Sequence, residues 1–455
     1  MESIHNIVDS IHTKMFREQF GKDRYAFLFM PGDYCTAGVL KVPYYVHMAG
    51  LGKTPYEVKV SNIHTPAPLA NDNGTCTFWR SVENLSVIGP ESYEESETFL
   101  WAVSQAAPIR RVYSERTVKN QWKYGWVSGG FTADCVFMAP GTKAAEINRQ
   151  LRKGKHILFQ PGMYEIEEPI HITRPGTIVM GLGFTTLIPA ENNPESALVI
   201  DDVDGVTVCA LLFDAHYSSR TLLRADGGEK SHAGNPTVLS DLFFRVGGFR
   251  SAPVNVDCAV EIDANDVIGD HFWIWRADHG VPDSVGWDVN TSKNGLLVKG
   301  DDIMVYGLFN EHFQEYQTLW EGERGKVFFY QCETPYDAIH QERYMSVNGT
   351  RAGYAAYKID DNVNIHEAYG LGIYDVFFKT DIRLENSMEV PEKPGIRIYH
   401  VCNDSLSDAG PRGIGYVING KVPSTYGTYK VFRPWIDEFV GGDVKAHSEP
   451  YQKRQ

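Results

Sequence analysis

"FNEHFQEYQTLWEGERGKVFFYQCETPYD", Phe309 to Asp337, holds two glutamates, Glu311 and Glu333, 22 residues apart and each close to aromatic residues. Set on its turn residues, the run DIMVYGLFNEH (302–312) lies over GKVFFYQCET (325–334), with Ile303 and Val305 above Gly325 and Val327. Three further runs share the same rhythm of strand, kink and strand: DGVTVCALLFD (204–214), DVIGDHFWIWR (266–276) and NVNIHEAYGLG (362–372), where Val363 and Ile365 fit the same columns. Coils that each add one rung are what a right-handed parallel β-helix requires, because no single rung can bury its own apolar face. Corresponding residues of neighbouring rungs then lie about 4.8 Å apart. This alignment puts Phe213, Trp275, Glu311, Glu333 and Leu371 in one column, with loop insertions at 280–293 and 337–353. Two readings of the glutamates stay open: stacked neighbours, or solvated surface residues of a β-helix. The aromatic company of Trp273, Trp275, Trp287, Trp320, Phe313 and Tyr336 favours the first.

The chain also repeats itself on a longer scale. FLFMPGDY (27–34) is followed by HMAGLG (47–52), and ILFQPGMY (157–164) by VMGLG (179–183). A helical pattern precedes each copy: Ile4, Ile7, Val8, Ile11 and Met15 behind Ser3 as N-cap, then Ala144, Ile147 and Leu151 between Thr142 as N-cap and Gly154 as stop. The expected fold class is therefore all-β, two tandem right-handed parallel β-helices of the pectate-lyase kind, each with an N-terminal capping helix. Residues 1–135 form the first, 136–442 the second, and 443–455 a polar C-terminal tail.

A formal net charge of −15 without a Lys/Arg cluster argues against nucleic acid, whose phosphates are bound by basic side chains. No stretch reaches the roughly 18 consecutive apolar residues of a membrane span, and MESIHNIVDSIHTKMF has no signal-peptide core, so no membrane partner and no compartment can be read. The seven cysteines are scattered without a C-x-x-C pair, which signals neither a disulfide framework nor a zinc site, and they read as buried thiols. No metal and no cofactor is expected.

Two close carboxylates cannot both ionise cheaply, so one is pushed up and can act as a general acid near neutral pH. Glycosidic bond cleavage needs such an acid, a base or nucleophile on the opposite face, and a platform for the sugar ring. The indole of Trp275 could be that platform, or simply a ladder aromatic. Asp278 and His279 in RADHG read as a structural hydrogen bond.

The segments WRSVENLSV (79–87), WAVSQAAPIRR (101–111), GWVSGG (125–130), MGLGFTTLIP (180–189), WIWRADHG (273–280), VYGLFNEHFQ (305–314) and ETPYDA (333–338) resemble the bacterial type of glycoside hydrolase family 55, β-1,3-glucanases acting on laminarin-like glucans. The resemblance spans nearly the whole chain. It implies two β-helices side by side, with a pocket between them that takes the non-reducing end of a β-1,3-glucan and releases glucose with inversion. It further implies Glu333 as general acid, Glu311 as its supporting carboxylate, Gln105 and Ser128 as holders of the attacking water, and Trp275 and Tyr336 as sugar contacts. Members of the family are often secreted. One departure is the segment TADCVFMAPGT (132–142), which leads straight into the second helix where the family has a longer connection. The alternative to the enzyme is a catalytically weak β-helix protein that binds glucan or serves as a structural spike. A polysaccharide lyase fits less well, since the column offers no Lys/Arg base and no clustered Asp for calcium.

Overall fold

The computed structural model describes residues 4–65, 77–88, 99–101, 105–114, 135–377, 380–406, 410–427 and 432–450. The chain divides into two compact units. The first comprises Met1–Pro140 with Leu158–Tyr164 and Met180–Thr186, and the second Gly141–Ile157, Glu165–Val179 and Leu187–Gln455. The boundary expected at 135/136 thus falls at 140/141, and two short segments from the start of the second repeat belong to the first unit. Part of the reason is Arg24, whose Nε donates to Phe184 O at 3.1 Å while its guanidinium lies 3.6 Å over the Tyr45 ring.

In the first unit the helix α1 (Ile4–Met15) packs Val8 into a core of Phe29, Leu40, Val46, Met48, Val58, Val60 and Val82. Parallel strands build that core in two stacks. Tyr25–Phe29, Val46–Gly50, Arg80–Glu83 and Ile109–Arg110 form one, and Gly32–Lys41, Val58–His64, Ser86–Val87 and Tyr113–Ser114 the other.

The second unit opens with the helix α2 (Ala144–Arg152), capped by Lys143 rather than Thr142. Lys143 makes no side-chain cap. The first-turn N–H of Ala144 is satisfied instead by Glu167 Oε2 at 3.3 Å. One sheet then stacks seven parallel strands: Thr207–Ala215, Thr237–Val246, Val267–Arg276, Met304–Glu311, Gly325–Glu333, Ile365–Asp375 and Gly395–Ser405. A second sheet stacks the return strands, among them Val254–Ile262, Asn290–Val298, Thr318–Trp320, Tyr357–Ile359, Arg383–Glu389 and Gly413–Ile418. Phe432–Val440 and Asp443–Pro450 close the first sheet by antiparallel pairing, so residues 443–450, expected as a polar tail, are an edge strand. Of the described cysteines, Cys209, Cys258 and Cys332 are buried, whereas Cys35 is exposed.

The kink read in the sequence has a backbone cause. Ala210, Asp241, His271, Gly307, Phe329, Gly370 and His400 occupy one position of the seven strands, and all have φ between 51° and 70°. A left-handed residue inserted in every strand reverses the in-out alternation, so the side chains facing the core before and after it fall into separate columns. Only two of these seven are glycines. The marker that would have fixed the register from sequence is therefore mostly missing.

The observed column through the glutamates is accordingly Asp214, Arg245, Trp275, Glu311, Glu333, Tyr374 and Asp404. Phe213 and Leu371 do not belong to it. Phe213 is one residue off, and the strand Thr237–Val246, not counted among the rungs, intervenes before Trp275. The placement of Val363 and Ile365 slips by three, because Val327 pairs with Ala368. Trp275 does pair with Glu311.

Candidate active site

Glu311 and Glu333 end their strands. The register Phe309 to Gln331 carries on two residues to set Glu311 beside Glu333, and there the His312 N–H donates to Glu333 O at 2.9 Å. His312 itself is left-handed at φ 70°, which turns the chain out of the sheet directly after Glu311. Val305, Leu308, Val327 and Tyr330 are buried in the core. Beyond the kink, alternation from these residues points both glutamates out of the helix interior.

Although they are neighbours, the two carboxylates differ. Glu311 is only 2% exposed and receives the Trp273 indole N–H on Oε2 at 2.8 Å. The Glu333 side chain keeps 23% of its surface and accepts the Tyr336 hydroxyl on Oε2. His312 Nε2 stands 3.9 Å from Glu333 Oε2 and 4.0 Å from Asp278 Oδ1. Its Nδ1 faces Thr334 O at 3.1 Å, so that nitrogen carries a hydrogen and Nε2 is the atom turned to the acids.

Burial pushes both glutamates up from the usual carboxylate range. Glu311 moves furthest, because the charge of Glu333 adds to its burial, while the Trp273 hydrogen bond pulls the other way. For Glu333 burial leads, His312 opposes it and Asp278 adds to it. Burial would also raise Asp278, but the hydrogen bond from His279 and the fields of His312 and His279 hold it at about 2. The pair of glutamates thus retains a proton to higher pH than two isolated carboxyls would.

Arg276 fixes the loop after Glu333. Its buried guanidinium makes a two-pronged ion pair with Asp337, at 2.9 and 2.7 Å, and donates to Gly286 O, Asn290 O and His312 O. Asp337 follows Tyr336 directly, so this clamp sets where the tyrosine hydroxyl meets Glu333.

Of the residues expected from sequence, the second unit brings together Glu311, Glu333 and Tyr336. Trp275 is 2% exposed, with Trp273 stacked at 5.0 Å and His279 at 5.1 Å. Its indole is packed rather than presented, which suits a wall behind Glu311 better than a sugar platform. Gln105 lies in a turn of the first unit and is half-buried. Ser128 lies outside the described residues. Sequence spacing does not single out His312, and Asp278 reads there as a structural pair with His279. That hydrogen bond exists, at 2.9 Å. The signal for His312 was its place next to Glu311 in NEH, one step beyond the shared column. No group of His, Cys, Asp or Glu among the described residues is arranged to hold a metal ion.

Residues 135–333 match the family model described as the LAM55 pectate lyase-like domain. The chain is 34% identical to an exo-beta-1,3-glucanase of Streptomyces sp. (strain SirexAA-E / ActE), with 89% of this chain and 82% of the relative aligned. Among solved structures it is similar to sacteLam55A from Streptomyces sp. SirexAA-E, at 30% identity and a TM-score of 0.81 over 96% of each chain. A glutamate-to-alanine variant of that protein in complex with glucose matches equally well, at 31% identity and a TM-score of 0.81. Fold and likeness together define a glycoside hydrolase built on parallel β-helices. Within that class, the chain belongs to glycoside hydrolase family 55.

Proposed function

We propose that the protein is an exo-acting β-1,3-glucanase that takes laminarin-like glucans from the non-reducing end and releases glucose with inversion. The observation that carries this reading is the coupled pair Glu311 and Glu333 at adjoining strand ends, one enclosed and one open to a ligand. The names of the relatives supply the substrate class, and the glucose complex of one of them agrees with a sugar-binding site.

In this mechanism Glu333 protonates the glycosidic oxygen. Before the sugar arrives, the proton of the pair rests mainly on the deeper Glu311, which burial and the Glu333 charge push up furthest. A sugar ring lying against Glu333 strips its remaining water, which disfavours its charged form and draws the proton over. Glu311 then becomes the carboxylate, its charge held by the Trp273 N–H. Gln105 and Ser128 are assigned to holding the attacking water, a role supported by the family resemblance alone; neither is a base near neutral pH, so the proton that water sheds on attack passes to solvent, from which the glutamate pair is reprotonated. His312, Asp278 and Tyr336 set the acidity of Glu333.

Incubation with laminarin tests the reading: glucose should accumulate from the first minutes without intermediate oligosaccharides. Release of mixed oligomers would replace exo by endo action. No product at all, with laminarin still bound, would favour the alternative of a glucan-binding β-helix.

A further inference from the structure

On the other sheet of the second unit, away from the strands that carry Glu311 and Glu333, lies a cavity of about 650 Å³ lined by Thr350, Arg351, Lys358, Asn386 and Glu389 among others. That volume falls within the range of roughly 300–1,000 Å³ typical of small-molecule sites. Three separate elements build it. The hairpin Met345–Ser346 and Arg351–Ala352, inserted after the loop that follows Glu333, brings Thr350 and Arg351. Lys358 and Glu389 pair across the strands Tyr357–Ile359 and Arg383–Glu389, and the turn at Asn419–Gly420 closes one side.

Two of the lining side chains are buried polar groups, Glu389 at 3% exposure and Asn386 at 4%. Burying a carboxylate costs several kcal/mol unless it is paired. Here Arg351 Nη1 reaches Glu389 Oε2 at 2.7 Å, and Asn386 Nδ2 reaches Oε1 at 3.4 Å. The other charges of the lining are matched as well, Lys358 with Asp361 at 3.3 Å and Glu385 with Arg383 at 3.2 Å. With these charges matched in pairs, the cleft presents no surplus charge that calls for a cation or an anion. A neutral polyol suits it, because a carboxylate offers about four acceptor positions and a guanidinium five donors, so each paired group keeps capacity for hydroxyls. Tyr316, whose phenol lies in the fields of Glu389 and Arg351, and Tyr354, edge-on to it at 5.2 Å, add apolar ring surface nearby of the kind that packs on the C–H face of a hexose.

We propose that this cleft is a second, non-catalytic carbohydrate site that holds a neutral glucan chain through Arg351, Glu389 and Asn386. That the chain is a β-1,3-glucan rests on the proposed function. The fold has a reason to carry such a site: an exo-acting enzyme engages only chain ends, which are rare in a polymer, and a second grip raises the effective concentration of the substrate.

Affinity electrophoresis in gels containing laminarin tests this, with Glu333→Gln as the background so that the polymer is not consumed. Arg351→Ala, on the partly exposed hairpin, and Thr350→Trp, which fills the cleft, should each weaken the retardation by about tenfold in apparent Kd, the loss of one good charge-assisted contact. In the otherwise native enzyme the same two substitutions should leave turnover of laminaribiose, too short to use a second site, unchanged. Retardation equal to that of the background in both variants overturns the proposal. Weakened retardation in a protein whose native form releases no glucose would keep the site and remove the hydrolase reading instead.

Discussion

Trp273 holds Glu311 from below at 2.8 Å, while Glu333, one strand further on, meets Tyr336 and His312 on a side that is still open. Two chemically identical side chains on adjoining rungs are thereby made unequal. On the proposed mechanism the enclosed one stores a proton and the open one delivers it.

Replacing Glu333 by Gln should leave the fold intact, since the residue sits at a strand end outside the core, and should reduce turnover of laminarin by about 10²–10⁴-fold or more. A nitrophenyl glucoside needs little protonation on departure and should recover part of that loss. Steady-state rates on the two substrates decide it: equal losses on both would deny Glu333 the role of acid.

The adjacency of Glu311 and Glu333 was legible because their two coils have no insertion between the aligned turns, so Val305 falls on Val327 and the count carries through to the strand ends. Where coils are separated by longer loops the count failed. Sequence spacing puts Leu371 where the fold has Tyr374, and Phe213 where it has Asp214. The left-handed kinks fall on residues of no common type, Ala210, Phe329 and Gly370 in the strands concerned, and a slip by an odd number of residues, one at Phe213 and three at Leu371, exchanges the two faces of a strand. Asp278 could not be placed from sequence for a different reason. It belongs to a loop after Arg276, and only the folded chain brings it within 4.0 Å of His312.

The groups around Glu333 give the pH profile a signed test. The field of His312 lowers the pKa of Glu333 and that of Asp278 raises it, so His312→Gln should move the alkaline limb of kcat/KM upward and Asp278→Asn should move it downward. Tyr336→Phe removes a donor that favours the ionised carboxylate and should act in the same direction as His312→Gln. Profiles that all shift the same way would mean that Glu333 is not the group being titrated.

Asp375 provides a test that is independent of catalysis. Burial raises it from 3.8 to about 6, partly offset by hydrogen bonds from Thr425 and Ser405. A carboxyl raised on folding binds its proton more tightly in the folded state, so its contribution is full below about pH 4 and is lost as pH rises to about 6, by roughly 3 kcal/mol in all. Asp375→Asn carries no such dependence. The unfolding midpoint of the variant, relative to the parent at each pH, should therefore climb between about pH 4 and 6 and level off above, and a difference that is constant with pH would refute the raised pKa of Asp375.

The anomer of glucose released first separates two uses of Glu311. Neighbouring strands about 4.8 Å apart suggest carboxyl groups near the ~5 Å separation of retaining glycosidases, whereas inverting enzymes hold theirs about 6.5–9.5 Å apart, and on spacing alone the product would be β-glucose. A retaining nucleophile must, however, touch the anomeric carbon. Glu311 is 2% exposed, its Oε2 is engaged by the Trp273 indole, and the more open Glu333 stands next to it. An enclosed carboxylate of this kind is suited to holding a proton and is poorly placed to attack a sugar. On the proposed mechanism water is the nucleophile, arriving on the opposite face, and an inverted product is expected. Proton NMR during the first seconds of laminarin hydrolysis should show α-glucose ahead of mutarotation. Initial β-glucose would mean that Glu311 reaches the anomeric carbon after all, and it would remove the water-holding roles assigned to Gln105 and Ser128.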